Sequence, residues 1–379
     1  MPMPAMQPPI FVDGGESFQQ MVAHLEGQTT IAVDTESNSL HAYQEKVCLI
    51  QLSSRVQDFL LDPFAFDQLN ALGEVFANPG IQKVFHAGDY DLTCLKRDYA
   101  FLFENIFDTM LAANALGETN LGLAGLLDKY LDVQLDKKYQ RANWGKRPIK
   151  PEMLVYAQAD SHYLIVLRDI LVPLLEQKGR LEIVLEDSAA LAQQTHAMKN
   201  HEEDFWRVRG INGMKPKALS LLKSLNHLRE ILARQQDIPP FKIMSDRALV
   251  EIAQTQPKYP QELDLLPSLS HGQVKRYGKE IMRAVDRWRK EPGKVEKRHF
   301  HARDDEVVQR REILGEWRKQ VGLAQGLSSN VILPKELLEC IAAEPVQDLQ
   351  CLEKAMRSSP SRFNQYGSEI LALFRKEDQ

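Results

Sequence analysis

The sequence predicts a mixed α/β domain followed by two all-α domains. Apolar runs of β type are confined to the N-terminal part of the chain, where helical patterns lie between them and after them. From about residue 200 onward there is hardly any strand signal, and one helical layout occurs twice. Strands with helices between and after them indicate a mixed sheet that is covered by helices.

The elements of the first domain can be placed from these patterns. Four runs have the composition of strands: residues 31–33, 47–53, 58–61 and 83–86. Three stretches have helical periodicity: residues 90–97, 108–116 and 151–176. Within the last stretch we expect a break near Pro173, because proline removes a backbone donor from a helix.

The two helical regions share a layout, which indicates a duplicated domain. Each has an arginine in its first helix, Arg229 or Arg318, and each ends in Tyr-Gly-x-Glu-Ile, at residues 277–281 and 366–370. A linker is expected around Pro292 and Gly293. We therefore predict an α/β domain over residues 1–200 and helical domains over residues 205–290 and 303–376.

The composition is that of a globular protein with an uneven distribution of charge. Hydrophobic residues make up 44% of the chain and charged residues 26%. Acidic residues outnumber basic ones over residues 1–200, whereas basic residues are in excess over residues 205–290. This asymmetry favours metal-dependent chemistry in the first domain and binding of a polyanion by the second.

Several classes of protein are disfavoured by what the sequence lacks. The four cysteines are scattered without a CxxC pair, which argues against a zinc ribbon or a disulfide scaffold. No basic segment precedes an apolar one at the N-terminus, and no apolar run approaches the ~18 residues of a membrane span. There is no GxxxxGK[ST] phosphate loop, so no nucleotide cofactor is expected. We expect a cytoplasmic protein with no membrane partner, and the oligomeric state stays open.

Two carboxylates at the end of an apolar strand are the strongest sign of function. Asp34 and Glu36 are alternate residues, so their side chains project from the same face of the strand. Two like charges that lie this close repel each other and are poorly solvated at the end of a buried element. A bound cation would remove this penalty, so the pair is a candidate metal site.

Two further carboxylates lie on separate elements. Asp91 follows the turn His86-Ala87-Gly88, where a strand gives way to a helix, and Asp160 lies one helical turn after Tyr156. Hard oxygen ligands of this kind suit Mg²⁺ or Mn²⁺. Two such ions about 4 Å apart are a known arrangement for phosphodiester cleavage, and the Tyr156 hydroxyl could orient the attacking water.

In these motifs the chain resembles the DEDDy family of 3′–5′ exonucleases, and within it ribonuclease D. The resemblance is carried by three motifs in order: Asp34-Thr35-Glu36, His86-Ala87-Gly88-x-x-Asp91 and Tyr156-x-x-x-Asp160. The two helical regions resemble HRDC domains, which are nucleic-acid-binding modules. Ser37 and Asn143 depart from the family pattern, where phenylalanine and an acidic residue are common.

The resemblance implies a ribonuclease-H-like exonuclease fold followed by two all-α HRDC-like domains. It also implies two divalent cations, Mg²⁺ or Mn²⁺, with the catalytic set Asp34, Glu36, Asp91, Tyr156 and Asp160, of which the four carboxylates are the metal ligands. The expected activity is that of a 3′–5′ exoribonuclease that releases nucleoside 5′-monophosphates. The expected partner is an RNA with a free 3′ end, such as a tRNA precursor.

Seven other residues are candidates for substrate contact: Thr35, His86, Lys137, Arg141, Trp144, Lys275 and Arg276. All of them except Thr35 have an alternative interpretation. His86 could be a structural histidine, the segment around Trp144 could be a solvated loop with a packed tryptophan, and the basic helical face could simply be solvated.

Two other functions remain open from the sequence alone. One is a DNA 3′–5′ exonuclease in repair, which would use the same chemistry. The other is a non-catalytic RNA-binding protein that has kept the fold, against which the intact set of four carboxylates and a tyrosine argues.

Overall fold

The computed structural model describes residues 6–194, 204–295 and 304–375. The ends of the predicted domains at residues 1, 200, 303 and 376 lie outside these ranges, and the domain boundaries stay a prediction. Among the described residues, no helix combines the length and the apolar character that a membrane crossing requires.

The N-terminal part contains a mixed sheet, as the sequence predicts, with six strands rather than the four expected. Its strands are β1 (Ile10–Val12), β2 (Thr30–Ser37), β3 (Val47–Ser53), β4 (Asp58–Leu61), β5 (Gln82–Phe85) and β6 (Ile106–Asp108). The strand order is β1-β4-β3-β2-β5-β6. Strand β3 pairs antiparallel with β4, whereas β1 with β4, β2 with β5, and β5 with β6 pair in parallel. The strand that carries Asp34 and Glu36 therefore lies inside the sheet.

Helices cover both faces of this sheet. They are α1 (Gly15–Glu26), α2 (Asn70–Ala77), α3 (Asp89–Tyr99), α4 (Thr109–Leu116), α5 (Leu123–Leu131), α6 (Pro151–His162), α7 (Leu164–Gln177) and α8 (Leu181–Gln193). Ile31 and Val33 of β2 belong to the core on one face, and Ala32 between them belongs to the core on the other face. Burial on both sides explains why β2 is a continuous apolar run.

Two local expectations were wrong. The break expected near Pro173 lies instead at Tyr163, between α6 and α7, and Pro173 is inside α7. The buried side chains of Leu171 and Leu175 flank this proline, so packing outweighs the missing backbone donor. The helix expected to begin at residue 108 begins at Thr109, because Asp108 ends β6 and caps α4.

The remainder of the described chain is helical. The first helical region contains α9 (Pro216–Gln236), α10 (Pro240–Ile243), α11 (Asp246–Thr255) and α12 (His271–Lys290). The second contains α13 (Asp305–Gln325), α14 (Ser329–Ile332), α15 (Lys335–Ala343), α16 (Leu349–Ala355) and α17 (Pro360–Arg375). Short 3-10 turns at Pro63–Ala65, Asp204–Arg207 and Pro260–Glu262 complete the elements.

The two helical regions repeat individual contacts as well as layout. Arg229 donates to the carbonyl of Met244 at 3.3 Å, and Arg318 donates to the carbonyl of Leu333 at 2.8 Å. The Tyr277 hydroxyl donates to Gln236 at 2.8 Å, and the Tyr366 hydroxyl donates to Gln325 at 3.4 Å. In each pair the second contact occupies the same place in its repeat as the first, which supports the predicted duplication.

The described residues group into two compact units that differ from a simple succession of domains. Residues 37–46 and the first helical region form one unit, and the sheet, its helices and the second helical region form the other. Within the latter unit, Arg362 of α17 pairs with Asp187 of α8 at 2.7 Å, and Ser359 donates to Glu186 at 2.7 Å. The second repeat is therefore packed onto the α/β part.

Candidate active site

Two carboxylates follow the buried residues Ile31–Val33 of β2. Ile31, Ala32 and Val33 are 0% exposed, while Asp34 and Glu36 keep partial contact with solvent. Burial, then repulsion from Asp91, Asp160 and Glu36, raises the pKa of Asp34 well above its usual value. Burial, then Asp160 and Asp91, raises the pKa of Glu36 to about 9. The two acids therefore lie within electrostatic reach of the two carboxylates that other elements carry.

The turn between β5 and α3 delivers the third carboxylate. Ala87 has a left-handed φ of 55°, and a Cβ on Gly88 would lie 2.7 Å from the Cβ of Phe85, so only glycine fits there. Asp91, in the first turn of α3, is 8% exposed and accepts a hydrogen bond from the Thr35 hydroxyl. Burial raises the pKa of Asp91 to about 6, although the Thr35 hydrogen bond opposes this shift.

Helix α6 supplies the fourth carboxylate and the tyrosine. It is fixed to the sheet by Ser161, which bonds Ser53 at 2.8 Å, and by His162, which bonds Asp58 at 2.8 Å. The Tyr156 hydroxyl donates to Asp160, and burial raises the pKa of Asp160 to about 7 despite this bond. Burial and the neighbouring carboxylates also raise the pKa of Tyr156, so its phenol stays protonated.

The four carboxylates approach one another without surrounding a single point. Across the described ranges, no three or more His, Cys, Asp or Glu side chains are pre-arranged around one ion position. Asp91 is bonded to Thr35 and Asp160 to Tyr156, so both carboxylates face protein hydroxyls. The donor set is nevertheless all carboxylate oxygen and mutually repulsive, which fits hard divalent cations.

Two of the residues predicted to contact substrate have structural roles instead. Trp144 is 1% exposed and packs with Tyr156 at 6.1 Å between ring centres, so the prediction that it stacks a base is wrong. His86 bonds the Thr109 hydroxyl at 2.9 Å through Nδ1 and also bonds the Leu121 backbone. Burial lowers the pKa of His86 to about 4, so this histidine is neutral and held by the protein.

Of the other residues predicted to contact substrate, one lies among the carboxylates and four lie on the surface. Thr35 serves the site through its bond to Asp91. Lys137 and Arg141 are exposed in the segment after α5, and Lys275 and Arg276 are exposed on α12. Their contact with substrate stays a prediction.

Two side chains to which the sequence assigned no role hold the surroundings of the site. Asp108 binds the backbone of the turn that precedes Asp91, and Arg147 binds Asp62 at 2.5 Å and the Cys48 carbonyl at 2.7 Å. The signal for Asp108 was an aspartate at a strand-to-helix junction, where N-caps occur. Arg147 had no local signal, because its partners are distant in sequence.

Family models match three stretches of the chain. Residues 9–176 match the family described as 3′–5′ exonuclease, and residues 218–285 and 308–374 each match the HRDC domain.

Individual relatives extend the agreement. Ribonuclease D of Sphingobium indicum is 31% identical over 265 residues, which cover 69% of this chain and 68% of that protein. The exosome complex exonuclease RRP6 of Saccharomyces cerevisiae is 32% identical over 260 residues, which cover 64% of this chain but only 36% of that protein. The chain thus spans about a third of the length of the yeast relative. The crystal structure of Escherichia coli RNase D superposes with a TM-score of 0.70 at 20% identity, covering 98% of this chain and 99% of that one, which supports the fold.

Proposed function

Because the chain belongs to the ribonuclease D family of 3′–5′ exonucleases, we propose that it is a metal-dependent exoribonuclease that releases nucleoside 5′-monophosphates from the 3′ end of RNA. The observation that carries the proposal is the electrostatic coupling of Asp34 to Glu36, Asp91 and Asp160. These carboxylates come from three separate elements, and their mutual repulsion destabilises the fold unless a ligand neutralises it.

Divalent cations are the ligands that this cluster fits. Members of this exonuclease family are generally dependent on divalent metals, and we propose that Asp34, Glu36, Asp91 and Asp160 hold two ions, Mg²⁺ or Mn²⁺. The chemistry that two such ions supply when bound is acidification of the attacking water and neutralisation of charge on the leaving 3′-oxygen.

Tyr156 acts on the attacking water by orientation. Burial and the neighbouring carboxylates raise its pKa, which favours orientation of the water over general-base catalysis. The hydroxyl donates its one proton to Asp160, so its oxygen can accept a hydrogen bond from the attacking water and orient it. Loss of the hydroxyl should therefore slow cleavage without removing it.

The substrate we propose is an RNA with a free 3′ end, such as a tRNA precursor, in the cytoplasm. The names of the Sphingobium and yeast relatives, a ribonuclease and an exosome exonuclease, support RNA. The exposed Lys275 and Arg276 on α12 supply positive charge for the phosphate backbone.

A degradation assay tests this proposal. The full chain is incubated with a 5′-labelled, 3′-extended tRNA, and with unstructured RNA and DNA of one sequence, each with Mg²⁺ or Mn²⁺. We expect stepwise shortening of RNA from the 3′ end and mononucleotide 5′-phosphates as products. Preferential shortening of the DNA would favour a repair exonuclease, and binding without any cleavage would favour a non-catalytic RNA-binding protein.

A further inference from the structure

A buried aspartate outside the carboxylate cluster holds the turn that leads to Asp91. Asp108, the last residue of β6, is 0% exposed. Its carboxylate accepts four backbone N–H groups, from Ala87 at 3.3 Å, Gly88 at 2.8 Å, Met110 at 2.8 Å and Leu111 at 3.1 Å. One side chain thus joins the start of α4 to the turn between β5 and α3.

The two carboxylate oxygens divide these tasks. Oδ1 caps α4 through Met110 and Leu111 and also reaches Ala87, whereas Oδ2 accepts only from Gly88. Gly88 is the N-cap of α3, and Asp91 lies in the first turn of that helix. The Oδ2 bond therefore fixes the direction in which α3 leaves the sheet, next to the strained Ala87.

Asp108 is itself held from a second side. Its backbone N–H donates to the Ser188 hydroxyl of α8 at 3.2 Å, and both residues are 0% exposed. A residue fixed by a strand, a helix cap and a neighbouring helix cannot follow small movements of the turn. It acts as a rigid reference for the position of the turn.

We propose that Asp108 is a positioning residue for Asp91: by fixing the turn before α3, it sets where Asp91 lies relative to the other carboxylates. The inference rests on the proposed function, since it gives Asp91 the role of a metal ligand. Metal–ligand distances tolerate only a few tenths of an ångström, so a turn that relaxes weakens the site even when all four ligands are present. Groups that orient ligands in this way typically contribute about 10- to 100-fold to metal affinity or activity.

The variant Asp108→Asn separates this role from helix capping. The amide oxygen can replace Oδ1, which keeps three of the four N–H bonds, and the amide NH₂ then faces Gly88 and cannot accept its N–H. A matched control is Asp348→Asn, at the N-cap of α16, where Asp348 accepts the Cys351 N–H at 2.8 Å. That helix lies in the second repeat, so the control makes the same carboxylate-to-amide change at a helix N-cap away from the carboxylates.

The experiment measures Mn²⁺ binding by titration calorimetry on the full chain without RNA, followed by cleavage over a range of Mn²⁺ concentrations. We expect Asp108→Asn to bind Mn²⁺ at least about tenfold more weakly. At limiting Mn²⁺ its kcat should fall while KM for RNA is unchanged, and excess Mn²⁺ should restore most of the loss. Asp348→Asn should bind Mn²⁺ as the wild type does.

The outcomes distinguish the two proposals. Unchanged Mn²⁺ affinity in folded Asp108→Asn overturns the positioning role and leaves Asp108 as a helix cap. Absence of Mn²⁺ binding by the wild type overturns the proposed function instead. If Asp108→Asn does not fold, Ser188→Ala takes its place, because it loosens Asp108 without changing its carboxylate. We expect it to bind Mn²⁺ several-fold more weakly, and an unchanged affinity overturns the proposal.

Discussion

The two helical repeats share the same internal hydrogen bonds. They differ in the contacts that the first turn of their last helix makes. Gln273 in α12 and Arg362 in α17 each precede the motif tyrosine by one turn. Gln273 turns inward, where it completes a capping box with Ser270 and donates to the Ile243 carbonyl at 3.0 Å. Arg362 is 0% exposed and reaches out of its repeat to Asp187, with two bonds of 2.7 Å.

Each of these residues is preceded, three positions earlier, by a serine: Ser270 in the first repeat and Ser359 in the second. The contacts of the two serines differ in the same way. The Ser270 hydroxyl bonds its own helix, whereas Ser359 donates to Glu186 of α8. Helix α8 also carries Ser188, which receives the N–H of Asp108. One copy is thus built into the catalytic part through α8, and the other keeps its basic residues on the surface. The second repeat thus has a supporting role, and we propose that the first repeat has the binding role.

The largest effect on cleavage should come from substitution of a carboxylate in the cluster. Such a substitution should leave the structure of both helical repeats unchanged. Asp160→Asn removes a ligand charge, and we expect the cleavage rate to fall by at least about 10³-fold, since a single oxyanion donor can already account for that much. RNA binding, measured by fluorescence anisotropy, should change little. The control Asp89→Asn changes an exposed acid in the same turn as Asp91 and should cleave normally. Near-normal turnover by Asp160→Asn would remove the basis of the proposed function.

Next in size is the buried contact that ties the second repeat to α8. Arg362→Gln introduces the residue that the first repeat has at this position, and it leaves Asp187 without its partner. We expect the free energy of unfolding to fall by about 3 kcal/mol, because breaking a buried ion pair strands the remaining charge. Urea denaturation measures the loss, and Arg357→Gln, at an exposed position nearby, is the control. A decrease smaller than about 1 kcal/mol would mean that α8 does not depend on this repeat.

The elements with a repeating pattern could be predicted from the sequence. Strands β3 and β4 are found at the predicted residues, and β2 and β5 within a few. Strands β1 and β6 were missed, because a run of three residues has no period to detect. The motifs singled out the five residues of the proposed catalytic set. The structure brings their carboxylates within electrostatic reach from the end of β2, the first turn of α3 and the last turn of α6.

The sequence could not predict contacts between residues that are far apart along the chain. Trp144 looks like a stacking residue when it is seen among Lys137 and Arg141, and only the packing of α6 over β3 shows that it is buried. Arg362 likewise carries no sign of its role in the sequence around it. Its partner Asp187 lies in another domain, and no local pattern connects the two.

Substitution of basic surface residues in the first repeat tests whether this repeat, rather than the second, binds RNA. In Lys275→Glu/Arg276→Glu we expect about tenfold weaker RNA binding, and the slope of log affinity against log salt should become shallower by about 0.7 for each phosphate that is no longer neutralised. The rate at saturating RNA should be unchanged. Lys335→Glu/Lys354→Glu in the second repeat is the matched control and should have little effect. An equal weakening of RNA binding in both variants would show that the repeats share this role.

The carboxylate cluster should also give the catalytic part a pH dependence in the absence of metal. Folding raises the pKa of Glu36 to about 9 and that of Asp160 to about 7, above their unfolded values. A raised carboxyl pKa means that stability is lost as pH rises through it, so with chelator the melting temperature should increase from pH 9 to pH 6. Asp160→Asn should reduce this increase, and added Mn²⁺ should abolish it. A melting temperature that falls over this range would contradict the coupling.

The smallest effect tests whether the shared framework is equivalent in the two copies. Tyr277→Phe and Tyr366→Phe each remove one hydroxyl that bonds the glutamine at the end of the repeat's first helix. We expect each to lower the free energy of unfolding by about 1 kcal/mol, with the larger decrease at Tyr277, where the bond is 2.8 Å rather than 3.4 Å. Chemical denaturation measures both variants beside the wild type. A decrease several times larger at Tyr366 would mean that the second repeat depends on this hydrogen bond more than the first repeat does. The two repeats would then differ in their internal hydrogen bonds as well as in their surface contacts.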